Sequence, residues 1–249
     1  MQLEGKAVLV TGGTRGIGAA AAVELARRGA NVVINGRTDD EEARGVRAKV
    51  RSLGRRCELV TGDVADPAVA VRCVEETVKR LGACDVLVHS AGGPVPGGLL
   101  EIEPEAWHAA FDVHVHAAFH LCRAAVPLMK QRGEGAIVLI SSVAGIRGCS
   151  GIIAYGTVKG AVLQFTRMLA RELADDNIRV NCVSPGIIRT RFHENMSPEQ
   201  QRHNLEHRIP LHREGRPLDV AQAIALLVEN DYLTGENLVV DGGLTSRIA

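Results

Sequence analysis

The sequence predicts an α/β protein: one doubly wound, seven-stranded parallel sheet with helices on both faces, a single domain over residues 1–249. Three observations carry this. Short, nearly all-apolar runs recur along the chain, as strands covered on both faces require. Helix-length amphipathic segments separate them. No linker, repeat or low-complexity stretch interrupts the alternation, and 249 residues, 46% of them hydrophobic, suffice for a sizeable core.

Ala7-Val8-Leu9-Val10 is the first strand. Thr11-Gly12-Gly13-Thr14-Arg15-Gly16-Ile17-Gly18 follows, then an Ala-rich helix to about Arg28, with Gly29 where a C-cap belongs. Strand, glycine turn and helix form a dinucleotide-binding opening: glycines admit a pyrophosphate close to the backbone, and the helix N-terminus favours its charge. Asn31–Asn35 is the second strand, and Gly36-Arg37 follows in place of the acid that would hold the ribose hydroxyls of NAD. Arg37 and Arg15 suit a 2′-phosphate, because guanidinium binds phosphate with paired hydrogen bonds. NADP(H) is therefore favoured over NAD(H). Thr38 and Glu41 make a capping-box pattern within an acidic stretch, Asp39 to Glu42, that adds negative charge beside this site.

Cys57–Thr61 is the third strand, leading to Gly62-Asp63-Val64, and Asp66-Pro67 open a helix that stops at Gly82. Val86–His89 is the fourth strand, followed by Ser90-Ala91-Gly92 and a loop, Pro94–Gly98, that reads as a mobile rim or a simple turn. A long helical region, bent or straight, covers about Pro104 to Met129. Its Asp112, His116 and His120 are four apart and could face a metal, but a helix–helix interface explains that face as well, and no metal is assigned. Ala136–Ile140 is the fifth strand and ends in Ser141-Ser142. A helix bearing Tyr155 and Lys159 runs to about Ala174, and Ile178–Val183 is the sixth strand, ending in Ser184-Pro185-Gly186. The rhythm lapses over 187–212, the candidate substrate-binding region, where Ser197-Pro198-Glu199-Gln200 looks like a capped helix start. Pro217–Glu229 is a helix and Leu238–Val240 the last strand, before Asp241-Gly242-Gly243.

Charge is balanced, 29 Lys+Arg against 29 Asp+Glu, and aromatics are 3%, which argues against nucleic acid or an anionic membrane as the main partner. The opening residues lack a signal peptide's apolar core, so a cytoplasmic location is expected. The six scattered cysteines form no Cys-x-x-Cys and read as buried thiols.

Tyr155 and Lys159, four apart, share one helix face. A phenol has an ordinary pKa of about 10, and a neighbouring ammonium should lower it. Reaching neutrality needs about 4 kcal/mol, which calls for a dry site and a second positive group such as a cofactor ring. The glycine turn, Asp63, Ser90-Ala91-Gly92, Ser142 and Pro185-Gly186 all directly follow strands, so they should converge with this pair on one sheet edge.

In their order, Thr11-Gly-x-x-x-Gly16-x-Gly18, Gly62-Asp63-Val64, Ser142, Tyr155-x-x-x-Lys159, Pro185-Gly186 and Asp241-Gly242-Gly243 resemble a short-chain dehydrogenase/reductase over essentially the whole chain. The resemblance implies a Rossmann-type fold and an NAD(P)-dependent enzyme acting on a ketone or secondary alcohol. Tyr155 would be the general acid/base and Ser142 would hold the carbonyl oxygen. Lys159 would lower the tyrosine pKa and bind the nicotinamide ribose. Asp63 would hold the adenine end, and Ile188 with Thr190 the carboxamide. It also implies a homotetramer packed through the two long central helices.

Two departures stand out. His89-Ser90-Ala91-Gly92 replaces the family's Asn-Asn-Ala-Gly, and His114 stands where an asparagine is thought to hold a water that relays protons to the lysine. Imidazole both donates and accepts, so His114 could join that path and make the rate fall as pH drops through its pKa.

The pocket candidates Val95, Ile146, Cys149, Ile152, Ile153 and Phe192, with Arg147 and His193, point to a neutral or weakly polar carbonyl compound. Family members that reduce 3-oxoacyl chains dock acyl carrier protein on basic helix ends. Here those ends read Gly133-Glu134 and Asp175-Asp176, with Arg132 remaining. A general carbonyl reductase therefore ranks ahead of a 3-oxoacyl reductase, and a sugar or polyol dehydrogenase third. A non-catalytic dinucleotide sensor or scaffold is the reading of another class.

Overall fold

In the computed structural model, which describes residues 1–194 and 196–246 apart from the side chain of His193, seven strands form one parallel sheet. They are β1 (Ala7–Thr11), β2 (Asn31–Gly36), β3 (Cys57–Thr61), β4 (Val86–His89), β5 (Gly135–Ile140), β6 (Ile178–Pro185) and β7 (Asn237–Val240), in spatial order β3-β2-β1-β4-β5-β6-β7. The order reverses between β1 and β4, which opens a crevice at their carboxyl ends. Register there sets Thr11 beside His89 and His89 beside Leu139.

The all-apolar strands behave as double-sided burial demands: β1, β4, β5 and β6 are buried throughout. One core cluster joins the sheet to α1 (Gly16–Arg27), α2 (Glu41–Ser52) and α8 (Pro217–Glu229). A second joins the opposite face to α3 (Pro67–Leu81), α5 (Ala117–Arg132) and α6 (Ile153–Leu173). Among the described residues no helix is long and apolar enough to cross a membrane.

Helix ends follow their local chemistry. Asp66 caps α3 by accepting from Ala68 N at 2.8 Å, and Gly82 closes it in the left-handed region. Ser197 and Gln200 form the reciprocal capping box of α7 (Pro198–His203). The Thr38–Glu41 box does not form. Asp40 caps α2 instead, its Oδ1 accepting from Ala43 N at 2.9 Å, while Thr38 donates to the other oxygen. The long central region is α4 (Pro104–Phe111) joined to α5 by a π-helical turn, Asp112–His116. A π turn holds one residue more than an α turn.

Candidate active site

Ser142 leaves β5 in extended conformation and caps a 3₁₀ turn, Val143–Gly145, its Oγ accepting from Ala144 N at 3.2 Å. That turn lies against the α6 backbone: a Cβ on Gly145 would come within 2.6 Å of the Lys159 carbonyl carbon. Ser141 Oγ donates to Lys159 O at 2.7 Å, and Lys159 Nζ donates to Ile140 O at 2.7 Å. These contacts set the phenol of Tyr155 beside the Ser142 side chain, with Lys159 Nζ 5.5 Å from the phenol ring centroid.

Burial pushes the Lys159 ammonium down to about 7 and the Tyr155 phenol up to about 12, the Ser142 hydrogen bond offsetting part of the latter. Burial therefore works against the phenolate at this position. Lost solvation is the larger cause, and Lys159 Nζ donates to the Ile140 carbonyl.

His114 sits in the π turn, 2% exposed, with its ring edge-on to Tyr155 at 5.8 Å between centroids. Its Nε2 faces Gly93 O at 3.2 Å and so carries the proton, which leaves Nδ1 an acceptor with no partner among the described residues. Burial first, then the charges of Lys159 and His89, push its pKa to about 2. The imidazole is neutral at working pH, so the expected fall in rate through its pKa is corrected: no such limb belongs in the accessible range. His89, assigned no role from its motif position, clamps the crevice. Its Nε2 donates to Val113 O at 3.1 Å and its Nδ1 accepts from Thr11 Oγ1 at 2.8 Å. Asp112 and His116 pair with each other at 3.0 Å on an exposed face, while His120 packs edge-on against Phe119. No group of three or more metal-ligating side chains converges among the described residues.

On the other side of the crevice the glycine turn forms a close-fitting cradle. Gly12 has φ +61°, and a Cβ there would meet the Ala91 backbone at 2.8 Å; a Cβ on Gly18 would lie 2.2 Å from Gly12 O. Ser90 N bonds to Thr11 O at 3.2 Å, which ties the Ser90-Ala91-Gly92 loop beside the turn. The N-terminus of α1 has no side-chain cap and no acid in its first turn, so its N–H groups are left for an anion. Thr14 is buried beneath Gly36, and Ile17 packs on the core. Asp63 is exposed after β3, its Oδ1 accepting from Ala65 N at 3.0 Å. Val64 is a core side chain, so any contact it makes to a ligand is through main chain. Pro185 ends β6, Gly186 N bonds to Val240 O, and Ile188 is buried. The Thr190 methyl lies 3.6 Å from where a Gly16 Cβ would stand, which brings the start of 187–212 onto the glycine turn. These residues fit a dinucleotide.

The two arginines differ. Arg37 is exposed at the end of β2 and pairs with no carboxylate among the described residues. Arg15 is held by Asp40 at 2.7 Å and by Glu42 at 3.2 Å, and Glu42 also meets Arg191 at 3.4 Å.

On the substrate side, Phe192 packs on the Tyr155 ring at 5.5 Å, and Val95 joins a small cluster with Ala154 and Val158. The Pro94–Gly98 loop is not a free rim: Gly97 N bonds to Gly151 O at 2.8 Å and Ile153 N to Gly97 O at 3.2 Å. Beyond Ser142 a cavity of about 380 Å³ is lined by Val143, Arg147, Cys149, His207, Arg208 and Thr245, among others. A larger groove, about 540 Å³, lies over the outer face of α1 away from Ser142 and Tyr155. No motif marks Arg208 and Thr245, because a second π turn, Asn204–Arg208, and the turn after Asp241 bring them together. The side chain of His193 lies outside the described residues. Arg132 is not near the site: it pairs at 2.7 Å with Asp85, which precedes β4 at the opposite sheet edge.

The family model described as Enoyl-(Acyl carrier protein) reductase matches residues 12–245. The chain is 37% identical over 246 residues to the 3-oxoacyl-[acyl-carrier-protein] reductase of Thermotoga maritima, covering 98% of this chain and 99% of that one. It is also 37% identical over 246 residues to L-rhamnose 1-dehydrogenase (NAD(P)(+)) of a Sphingomonas species, covering 97% of each. A solved short chain dehydrogenase from Burkholderia cenocepacia, in complex with NADP, superposes with a TM-score of 0.91 at 34% identity, over 98% of this chain and 100% of that one.

Proposed function

This chain belongs to the short-chain dehydrogenase/reductase family, and from that premise we propose that it is an NADP(H)-dependent oxidoreductase moving a hydride between nicotinamide and a ketone or secondary alcohol, with Tyr155 as general acid/base. The observation that carries this is the phenol of Tyr155 beside Ser142, with the buried Lys159 Nζ 5.5 Å from its ring, across the crevice from the glycine turn.

Gly12, Thr14, Gly16, Ile17 and Gly18, with the N-terminus of α1, hold the pyrophosphate. Asp63 and the main chain of Val64 hold the adenine end, and Ser90, Ala91 and Gly92 line the crevice. Pro185, Gly186, Ile188 and Thr190 hold the carboxamide end, and Arg37 with Arg15 receives a 2′-phosphate. When bound, the nicotinamide supplies or accepts the hydride. Ser142 Oγ fixes the substrate oxygen. Tyr155, its phenol protonated at neutral pH, donates to the carbonyl oxygen in reduction and takes that proton back in oxidation. Lys159 binds the nicotinamide ribose and returns the phenol's proton. His114, as a neutral acceptor through Nδ1, takes the asparagine's place in that path.

A general carbonyl reductase remains the first reading. The basic helix ends that would dock acyl carrier protein are committed elsewhere, Lys130 to Asp176 and Arg132 to Asp85. The 3-oxoacyl and sugar or polyol readings follow, as relatives of those kinds exist. The chain acts as a single cytoplasmic domain over 1–249, with 187–212 for substrate, and assembles as a homotetramer through its central helices. Exposed Phe119 on α5 and Met168 on α6 favour such packing.

The test is NADPH oxidation over simple ketones, an acetoacetyl thioester and sugars, repeated with Tyr155→Phe. We expect turnover of ketones and a fall of about 10³-fold in kcat for the variant with NADPH binding retained. A loss of less than tenfold would remove Tyr155 from its role. NADPH binding without turnover of any carbonyl would favour the sensor.

A further inference from the structure

We propose that the cavity beside Ser142 is an oxyanion subsite, so that the substrate is a keto compound carrying a carboxylate or phosphate a few bonds from its carbonyl. This rests on the oxidoreductase reading above and replaces its neutral ketone with an acidic one. The wall of the cavity begins at Val143, one residue from the hydroxyl that would hold the carbonyl oxygen. At about 380 Å³ it accommodates a short acidic tail.

Its lining is cationic, and the nearest carboxylate placed by contacts is Asp241, bound to Thr245 N and Oγ1 at 2.7 Å behind that lining. Arg147, just beyond the 3₁₀ turn, and Arg208, from the second π turn, line the same space, and no Asp or Glu does. Each guanidinium is held by a neutral oxygen: Arg147 donates to Thr245 O at 3.1 Å, and Arg208 to Asn204 Oδ1 at 2.8 Å. Asn204 is itself 5% exposed, so Arg208 is aimed by a buried amide. These partners position the cations without neutralising them. Neither arginine pairs with a carboxylate among the described residues, and Glu206 faces His207, at 3.7 Å. Three other arginines of this edge are matched, Arg15 by Asp40, Arg189 by Glu214 and Arg213 by Asp219. An anion entering this space would gain directional, charge-assisted hydrogen bonds from the guanidiniums that line it. Leu244 and Cys149 supply an apolar flank for the carbons between anion and carbonyl.

The experiment compares kcat/KM with NADPH for acetoacetate, 4-oxopentanoate and 5-oxohexanoate, their methyl esters, and 4-oxopentyl phosphate. At one chain length the acid or the phosphate should exceed the neutral ester by about tenfold or more, mainly through KM, as charge-assisted bidentate contacts would give. The phosphate arm decides between the two anions. In Arg147→Gln/Arg208→Gln the anion-to-ester ratio should fall to near one, and the paired Lys substitutions should restore part of it. Esters that equal both anions at every length, or a ratio that survives the double variant, would overturn the subsite while leaving the reductase reading intact. Absence of turnover with every carbonyl, in protein that binds NADPH, would overturn that reading and the subsite with it.

Discussion

At the β1–β3 end of the sheet's carboxyl edge, Arg15, Arg37, Asp40 and Glu42 lie in or near solvent, and Arg15 is answered by both acids. At the β4–β6 end, His89, His114 and Lys159 are 3%, 2% and 5% exposed and are pinned by backbone carbonyls. Solvent screens the first group, so its pairs are individually weak and exchangeable, suited to a site that trades one anion for another. Lost hydration dominates the second, so His89 and His114 stay neutral and Lys159 is brought down to titrate near neutrality. One edge thus separates a tunable recognition half from a rigid chemical half.

Three substitutions probe that division. Lys159→Met strikes the rigid half hardest, with an expected loss of about 100-fold in kcat. It also changes stability with pH. The folded-state pKa of Lys159, about 7, is depressed from its ordinary 10.5, so between these values the unfolded chain binds more protons and stability rises with pH. The wild type should gain about 2 kcal/mol from pH 7 to 9 through this group, measured by urea unfolding, and the variant should lack that slope. An unchanged slope would mean that Lys159 is not desolvated.

Arg37→Asp addresses the tunable half. It should raise the KM for NADPH by about tenfold and leave that for NADH within about twofold. Equal changes would show that Arg37 does not read the phosphate.

His114→Asn should have the smallest effect on rate, because neutral imidazole and amide are both acceptors, and should leave the pH–rate profile unchanged near neutrality. Its signature is acid stability. The folded pKa of His114, about 2, lies below the unfolded value, so the wild type loses stability as pH falls below about 6.5 while the variant loses less. A new limb in the pH–rate profile near pH 6 tied to His114 would contradict its burial.

The layout of the fold was legible because strands such as Val86–His89 and Ala136–Ile140 are apolar throughout, which only a doubly covered sheet explains. Caps with a single good acceptor, Asp66 and Ser197, were legible too. At α2 two acceptors competed, and Asp40 won because its short carboxylate reaches Ala43 N. The π turn left no trace in a periodicity that absorbs one extra residue. The convergence of Ser142, Tyr155 and Lys159 followed from their positions after strands and along one helix. The direction of the tyrosine shift did not, since it depends on how much water the fold removes rather than on which charges are near. Arg208 was invisible for another reason: its partner across the cavity, Arg147, is distant in sequence.

The π turn at Asp112–His116 has a wider consequence. Deleting one residue there would restore an unbroken α-helix and rotate all that follows by about 100°. Ala117, Ala118, Leu121, Cys122 and Ala125, now facing the sheet, would swing away from it, and the ring of His114 would leave Tyr155. The surplus residue therefore keeps two alignments in phase, a greasy seam below and a reactive mouth above, and length changes in this stretch should be tolerated only in whole compensating sets.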